Sequence, residues 1–373
     1  MDSDISIGSS PKQSYYNKYK KKKKNNSKSK IAYKILDAAH LRDDFYSNLI
    51  SWSKSSGKIA VGLGSNVHLW SDTEGVDSLE LPETQIISCL SWSDGEMVLV
   101  ASTSGDIRLF FQGLGVVIDC NNPSGQGICC ITWVPGSESQ FYAGDEAGYV
   151  LYFEIEDRQL LKLVHWFKCH QHQVCGIAIS NDLKEITVGG NDNCCTIWDV
   201  ENIKAPVLKY YLAHKAAVKA VAYCPWSKSL LATGGGSKDR TIRFWHTSTG
   251  SLLNSHKTKG QITSLIWSKR KRQITATYGF GDVDKPIFLS VLSYPDMETL
   301  AEVEAAPNLR ALSAVMSPDA TSICVAANDE TVRFYKLWDA KDPIILDYQQ
   351  NGVFGSDIIE LSEGITTHGD FIR

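Results

Sequence analysis

Short apolar stretches, each closing on a bulky residue and a small polar one, recur along the chain: "NLISWS", "ISCLSWS", "ICCITWV", "VCGIAIS", "VKAVAYCP", "ITSLIWS" and "ALSAVMSP". With Trp52, Trp92, Trp133, Ile179, Tyr223, Trp267 and Met316 as anchors, successive spacings are 40, 41, 46, 44, 44 and 49 residues. After each anchor come a second apolar run, a tight polar turn and a third run, as in "ITVGGNDNCCTIWD" and "LLATGGGSKDRTIRFW". Small and β-branched residues alternate in these runs, which suits strands covered on both faces. Gly, Asn, Asp and Ser supply the turns. Nowhere is a helical period sustained.

A repeat of this length is one four-stranded propeller blade, and seven of them predict an all-β fold, a seven-bladed WD-repeat β-propeller. Closing the ring leaves only short, protected sheet edges. Closure requires a strand from one end of the chain to complete the blade at the other, and "YKILDA", Tyr33 to Ala38, is the natural candidate. Two units carry a fuller WD pattern. His170, Asp192, Trp198 and Asp199 fit the fourth, and His214, Asp239 and Trp245 fit the fifth. In such units the His and the turn Asp are expected to hydrogen-bond within the blade rather than to do chemistry.

Composition refines this picture in three ways. The hydrophobic share of 43% in 373 residues is ample for a core. No apolar run approaches the ~18 residues of a membrane span, and the opening "MDSDISIGSSPKQ" has no apolar signal-peptide region. Charge is uneven: residues 1–30 hold nine lysines against Asp2 and Asp4, while the whole chain has a net charge of −4. A basic arm therefore precedes an acidic body, which argues against nucleic acid as the main partner and for basic peptides. The expected organisation is a basic disordered arm over 1–30, a propeller over 31–345 and a flexible tail over 346–373.

The lysine run "YNKYKKKKKNNSKSK" reads as a nuclear-import signal, an electrostatic arm or a solvated low-complexity tail. "SKRKRQ", Ser268 to Gln273, falls in a turn of the sixth unit. The ten cysteines include a tempting group, Cys169, His170, His172 and Cys175, but no pair of CxxC knuckles. Cys129–Cys130 and Cys194–Cys195 lie inside apolar stretches, so the thiols read as reduced and buried, with no metal and no cofactor expected.

Several stretches together are specific. "YKILDAAHLRDDFYSNLISWS", "AVGLGSNVHLW", "GGNDN", "KAVAYCPW", "LATGGGSKDRTIRFW", "MSPDATSICVAANDETVRF" and the final "IR" resemble the Fizzy/Fizzy-related family over about residues 31–340 and the last two residues. The family comprises substrate-recruiting activators of the anaphase-promoting complex, a cell-cycle ubiquitin ligase. The resemblance implies a non-catalytic adaptor acting in nucleus and cytoplasm, with cyclin-like substrates and no membrane. It implies a top-face pocket for the KEN box (Lys-Glu-Asn) at Asn191, Asn193, Ser237, Gln261 and Arg310. Amide donors and acceptors with one guanidinium suit such a peptide. It also implies a groove between the first and last blades where Asp44 and Glu330 meet the arginine of a destruction box (Arg-x-x-Leu). Ile372 and Arg373 would dock on helical-repeat subunits of the ligase.

Three features depart from the family pattern. Ser51 stands where an Asp usually precedes the first-blade Trp, which removes a carboxylate from the KEN side. The sixth unit, "YGFGDVDKPIFL", lacks a WD ending. Residues 1–30 contain no C box, the Asp-Arg-Tyr/Phe-Ile-Pro motif that engages the ligase core. An incomplete gene product, a divergent activator such as a meiosis-specific type, and a scaffold or substrate-sequestering relative unable to activate the ligase all remain open readings. An enzyme would need a nucleophile and base or a metal, and the sequence offers only the Cys/His group.

Overall fold

The computed structural model describes residues 28–29, 31–80, 85–111, 117–282 and 284–345. These form strands and turns and no helix. Seven sheets follow one another around a ring, five of them built wholly from consecutive antiparallel strands and the sixth and seventh each joined by a strand from the N-terminal end. The first blade runs Ile50–Trp52, Ile59–Leu63, Asn66–Ser71 and Gly75–Glu80. The fourth runs Val174–Ile179, Glu185–Gly190, Cys194–Asp199 and Val207–Ala213, and the fifth Val218–Tyr223, Leu230–Gly235, Thr241–His246 and Ser251–Lys257. The period-two alternation in each run has its cause in this arrangement. Every inner strand is sandwiched between two neighbouring blades, so both of its faces need apolar or small side chains.

Glycine allows the blades to approach closely. A Cβ on Gly189 would lie 2.2 Å from the Val218 carbonyl of the next blade, and one on Gly234 would lie 2.5 Å from the Ile262 side chain. The second glycine of each "GG" has another purpose. A Cβ on Gly190 would strike the His170 ring, and one on Gly235 would strike Asp239. The paired glycines thus make room for the neighbouring blade and for the His–Asp pair.

The expected closing strand forms as Lys34–Asp37, antiparallel to Thr331–Lys336 of the seventh blade, in the register Lys34 to Phe334 and Asp37 to Thr331. The backbone N–H groups of Tyr33 and Ala38 extend the pairing to the carbonyls of Phe334 and Glu330. At this seam Phe334 is 2% exposed and its ring meets Tyr33, Trp52 and Trp70 at 6.0, 5.6 and 5.7 Å. One side chain therefore joins the last blade, the closing strand and the first blade.

The sixth blade departs from the expected four strands. Lys28 and Ser29, which the sequence assigned to the arm, pair in parallel with Ala301 and Glu302 as a fifth strand. The basic turn Ser268 to Gln273 lies between two strands of this blade, as expected. Its charges are used structurally: Arg270 donates to the carbonyls of Asp319, Ala340 and Asp342, and Lys271 pairs with Asp342 at 2.8 Å.

The seam sets a stability expectation. Phe334→Ala should lower unfolding stability by about 3–5 kcal/mol in a denaturant titration, the range for emptying a buried aromatic site. Ile31→Ala, at an 85% exposed position, should change it by no more than about 0.5 kcal/mol.

Candidate functional site

In each blade the start of the first strand pairs with the end of the second: Val174 with Gly190, Val218 with Gly235, Ala311 with Ala327. First-strand starts and second-to-third turns therefore share one face of the ring. The five residues expected there follow this rule. Asn191 and Asn193 flank Asp192 in the fourth-blade turn, and Ser237 is in the matching turn of the fifth. Gln261 is the second residue of the sixth blade's first strand, and Arg310 immediately precedes the seventh. Asn193 has φ 64°, a left-handed conformation that Asn tolerates better than most residues. Glu330 takes the same position in the seventh-blade turn, with φ 58°.

Three of the five side chains are organised by neighbours. Tyr46 donates its hydroxyl proton to Asn191 Oδ1 at 2.9 Å. Arg310 pairs with Asp43 at 2.6 Å and lies 4.0 Å over the Phe280 ring. Gln261 is buried, and its Oε1 accepts the Phe280 N–H at 3.2 Å. Asn193 uses its carbonyl to accept the His214 N–H at 2.8 Å and leaves its side chain exposed. Ser237 is exposed, and its carbonyl accepts from Arg240 Nε.

Tyr46 and Asp43 belong to the segment between the closing strand and the first blade, which bridges the mouth of the central channel from Arg310 to Asn191. The motif reading passed over them because they sit in a connection, not in a blade turn. "RDDFY" offered the signal: two acids and two aromatics packed into a link between strands.

The structure corrects the placement of Asp44. Its carboxylate accepts from Tyr46 N at 3.0 Å and Ser47 Oγ at 2.8 Å and pairs with Arg42 at 3.0 Å. It lines a hollow with Tyr46, Cys129, Glu146 and Gln173, on the top face and away from the seam. The acid beside Glu330 is instead Asp37, whose strand partner is Thr331. Asp37 and Glu330 are both exposed, and Glu330 also accepts the His40 N–H at 3.2 Å. Asp37 ends the closing strand, where its pairing with Thr331 brings it to the Glu330 turn, whereas Asp44 lies in the connection that follows. The Ser51 hydroxyl accepts the Trp92 N–H at 3.0 Å on the next blade, and Asp43 and Asp44 add carboxylates to the top face.

The WD residues form internal networks. His214 Nδ1 donates to Asp239 at 2.6 Å, its Nε2 faces Thr233 Oγ1 at 2.7 Å, and Trp245 Nε1 donates to that same oxygen at 2.8 Å. Burial lowers the His214 pKa, so the imidazole stays neutral. In the fourth blade His170 Nδ1 donates to Asp192 at 2.8 Å, and the Cys194 thiol donates to the same carboxylate at 3.1 Å. Cys194 occupies the place of Thr241, which donates to Asp239 at 2.6 Å. His170, Asp192 and Cys194 are the ligand-type atoms that converge among the described residues, a different set from the Cys169–Cys175 group. Burial pushes the Cys194 thiol up to about 12, so it acts as a hydrogen-bond donor.

These features define a class: a seven-bladed WD-repeat propeller that presents a polar, partly preorganised surface on its top face. Residues 36–335 match the model of the CDC20/Fizzy WD40 domain, and the chain belongs to that family. It is 47% identical to the meiosis-specific APC/C activator protein AMA1 of Saccharomyces cerevisiae, across 93% of this chain and 64% of that protein. It is 33% identical to meiotic fizzy-related protein 2 of Schizosaccharomyces pombe, across 89% of this chain and 69% of that protein. With the anaphase-promoting complex subunit cdc20 of Dictyostelium discoideum it shares 34%, across 83% of this chain and 61% of that protein. The chain thus spans less than two thirds of the first of these relatives. A chain in the crystal structure of a mitotic checkpoint complex superposes with a TM-score of 0.75 at 30% identity, across 83% of this chain and 95% of that one.

The fourth-blade network has a pH signature. Burial alone would raise the Asp192 carboxyl, but hydrogen bonds from His170, Cys194 and the Gln171 N–H outweigh it and hold it at about 2. A folded-state pKa below the unfolded value gives stability that is present above the unfolded value and lost as pH falls toward about 2. Wild-type unfolding free energy should therefore decline by about 1–2 kcal/mol more than that of Asp192→Asn between pH 5 and pH 2, measured in urea at each pH.

Proposed function

We propose that this propeller recruits degron-bearing substrates to the anaphase-promoting complex and is itself non-catalytic. Relatives named as activators or subunits of that complex support this reading. The observation that carries it is the top-face arrangement in which Asn191 is oriented by Tyr46, and Arg310 is held over Phe280 by Asp43. Amides and a guanidinium fixed in place offer complementary partners to a Lys-Glu-Asn peptide, with Asp43 and Asp44 available for its lysine. At the seam, Asp37 and Glu330 are the acids suited to the arginine of an Arg-x-x-Leu peptide. The Asp44–Glu330 pairing expected from sequence is replaced by this one. Ile372 and Arg373 fall outside the described residues, and their docking on helical-repeat subunits remains part of the proposal. So does action in nucleus and cytoplasm.

Peptide binding tests the site. Asn191→Ala combined with Asn193→Gly removes both amides while keeping a residue that accepts φ 64° at position 193. The double variant should keep the wild-type melting profile and lose about 1–3 kcal/mol of KEN-peptide affinity by titration calorimetry. Unchanged affinity in the folded variant would remove the pocket assignment. Glu330→Lys should weaken Arg-x-x-Leu peptides far more than KEN peptides.

Deleting Ile372 and Arg373 should leave both peptide affinities unchanged and reduce co-precipitation with the ligase at matched protein levels. Tethering makes such a short tail effective through local concentration, so its loss is felt only in the assembled complex. Peptide binding without stimulated ubiquitination would favour a substrate-sequestering role.

A further inference from the structure

Lys219 is the second residue of the fifth blade's first strand, inside the central channel, and only 5% exposed. Its Nζ donates to the Ser47 carbonyl at 2.8 Å and the Leu312 carbonyl at 2.9 Å, and it lies 5.5 Å from the Phe45 ring centroid. Ser47 leads into the first blade and Leu312 belongs to the seventh. One ammonium therefore reaches across the ring to both sides of the closure seam.

Burying an ammonium costs free energy unless it is well paired. A methionine would fill similar volume without that cost, so packing alone gives no reason for the charge. The Ser47 contact supplies one. Ser47 Oγ donates to Asp44, Asp44 accepts from Tyr46 N, and Tyr46 donates to Asn191. Asp43, in the same short segment, holds Arg310.

We propose that Lys219 is a positioning residue for the top-face peptide site: by anchoring Ser47 it fixes the 43–47 segment, which in turn orients Asn191 and Arg310. The inference rests on the KEN-peptide reading of that site and adds a residue that lies below it. Without the anchor, the segment must be ordered when the peptide binds, and affinity falls by the cost of that ordering.

The test uses the full 373-residue chain and two capped peptides, one containing Lys-Glu-Asn and one containing Arg-x-x-Leu. Lys219→Met should bind the first about tenfold more weakly, the loss expected for one charge-assisted hydrogen bond. It should bind the second within about twofold of wild type. Adding Tyr46→Phe to Lys219→Met should cost little beyond the worse single variant, because both act through one segment.

A wild-type pH profile needs no variant and decides the matter if Lys219→Met does not fold. Burial lowers the Lys219 pKa to about 8, against an upward pull from Asp44, Cys175 and Cys130. Burial pushes the Cys130 and Cys175 thiols and the Tyr46 phenol upward, away from this range. KEN affinity should fall as pH rises through about 8, and Arg-x-x-Leu affinity should stay level.

If wild type binds the KEN peptide but Lys219→Met binds it equally well, the inference is overturned and the reading of the site stands. Equal weakening toward both peptides overturns it as well, by assigning Lys219 a general structural role. A flat KEN profile across pH 7 to 9.5 does the same. A wild-type chain that ignores the KEN peptide overturns the site reading and the inference together.

Discussion

Closure of the ring is the constraint on which the rest depends. Seven blades bury their inner strands only if the last meets the first, and here that contact is made by four residues, Lys34–Asp37, which pair with Thr331–Lys336 and form the outer strand of the seventh blade. Phe334 seals the seam from inside against Trp52 and Trp70, while Lys34 lies over Trp70 and pairs with Asp72 outside. A strand contributed from far away in sequence carries a large loop-closure cost, and burial of aromatic surface at the joint offsets it.

Closure also places the site. The chain leaves the closing strand at Asp37 and enters the first blade at Ile50, so the intervening residues must pass over the top face. That path brings Asp43 to Arg310 and Tyr46 to Asn191, residues separated by 267 and 145 positions. A connection that would otherwise be a plain loop becomes a brace across the channel mouth. Lys219 holds the underside of this brace, and Asp44 supports it internally. The top face is therefore made of blade turns and of the segment that closure forces across them.

The histidines and cysteines that might suggest chemistry are absorbed into packing. The neutral His214 and the depressed acid Asp239 form part of a chain of hydrogen bonds ending at Trp245, which ties the turn of one blade to its third strand. The fourth blade repeats the network, with Trp198 Nε1 donating to Thr196 Oγ1 at 2.9 Å. Cys194 replaces a hydroxyl donor with a thiol there. Fully satisfied buried networks of this kind rigidify the turns from which Asn191 and Asn193 project.

The family resemblance pointed to Asn191, Asn193, Ser237, Gln261 and Arg310, while alternation of small and β-branched residues, the roughly forty-residue spacing and the "GGNDN" and "TGGG" turns determined the seven blades, their order and the closing strand. These are local properties: strand period, turn chemistry and the shared position of a turn within every blade. Tertiary structure alone decided that Asp37, and not Asp44, sits beside Glu330, that Tyr46 and Asp43 organise the top face, and that Lys219 reaches Ser47 and Leu312. Each depends on register or on contact between residues far apart in the chain. A one-residue change of register turns a side chain to the opposite face. Residue type cannot reveal that change; only the pairing of Lys34–Asp37 with Thr331–Lys336 fixes it.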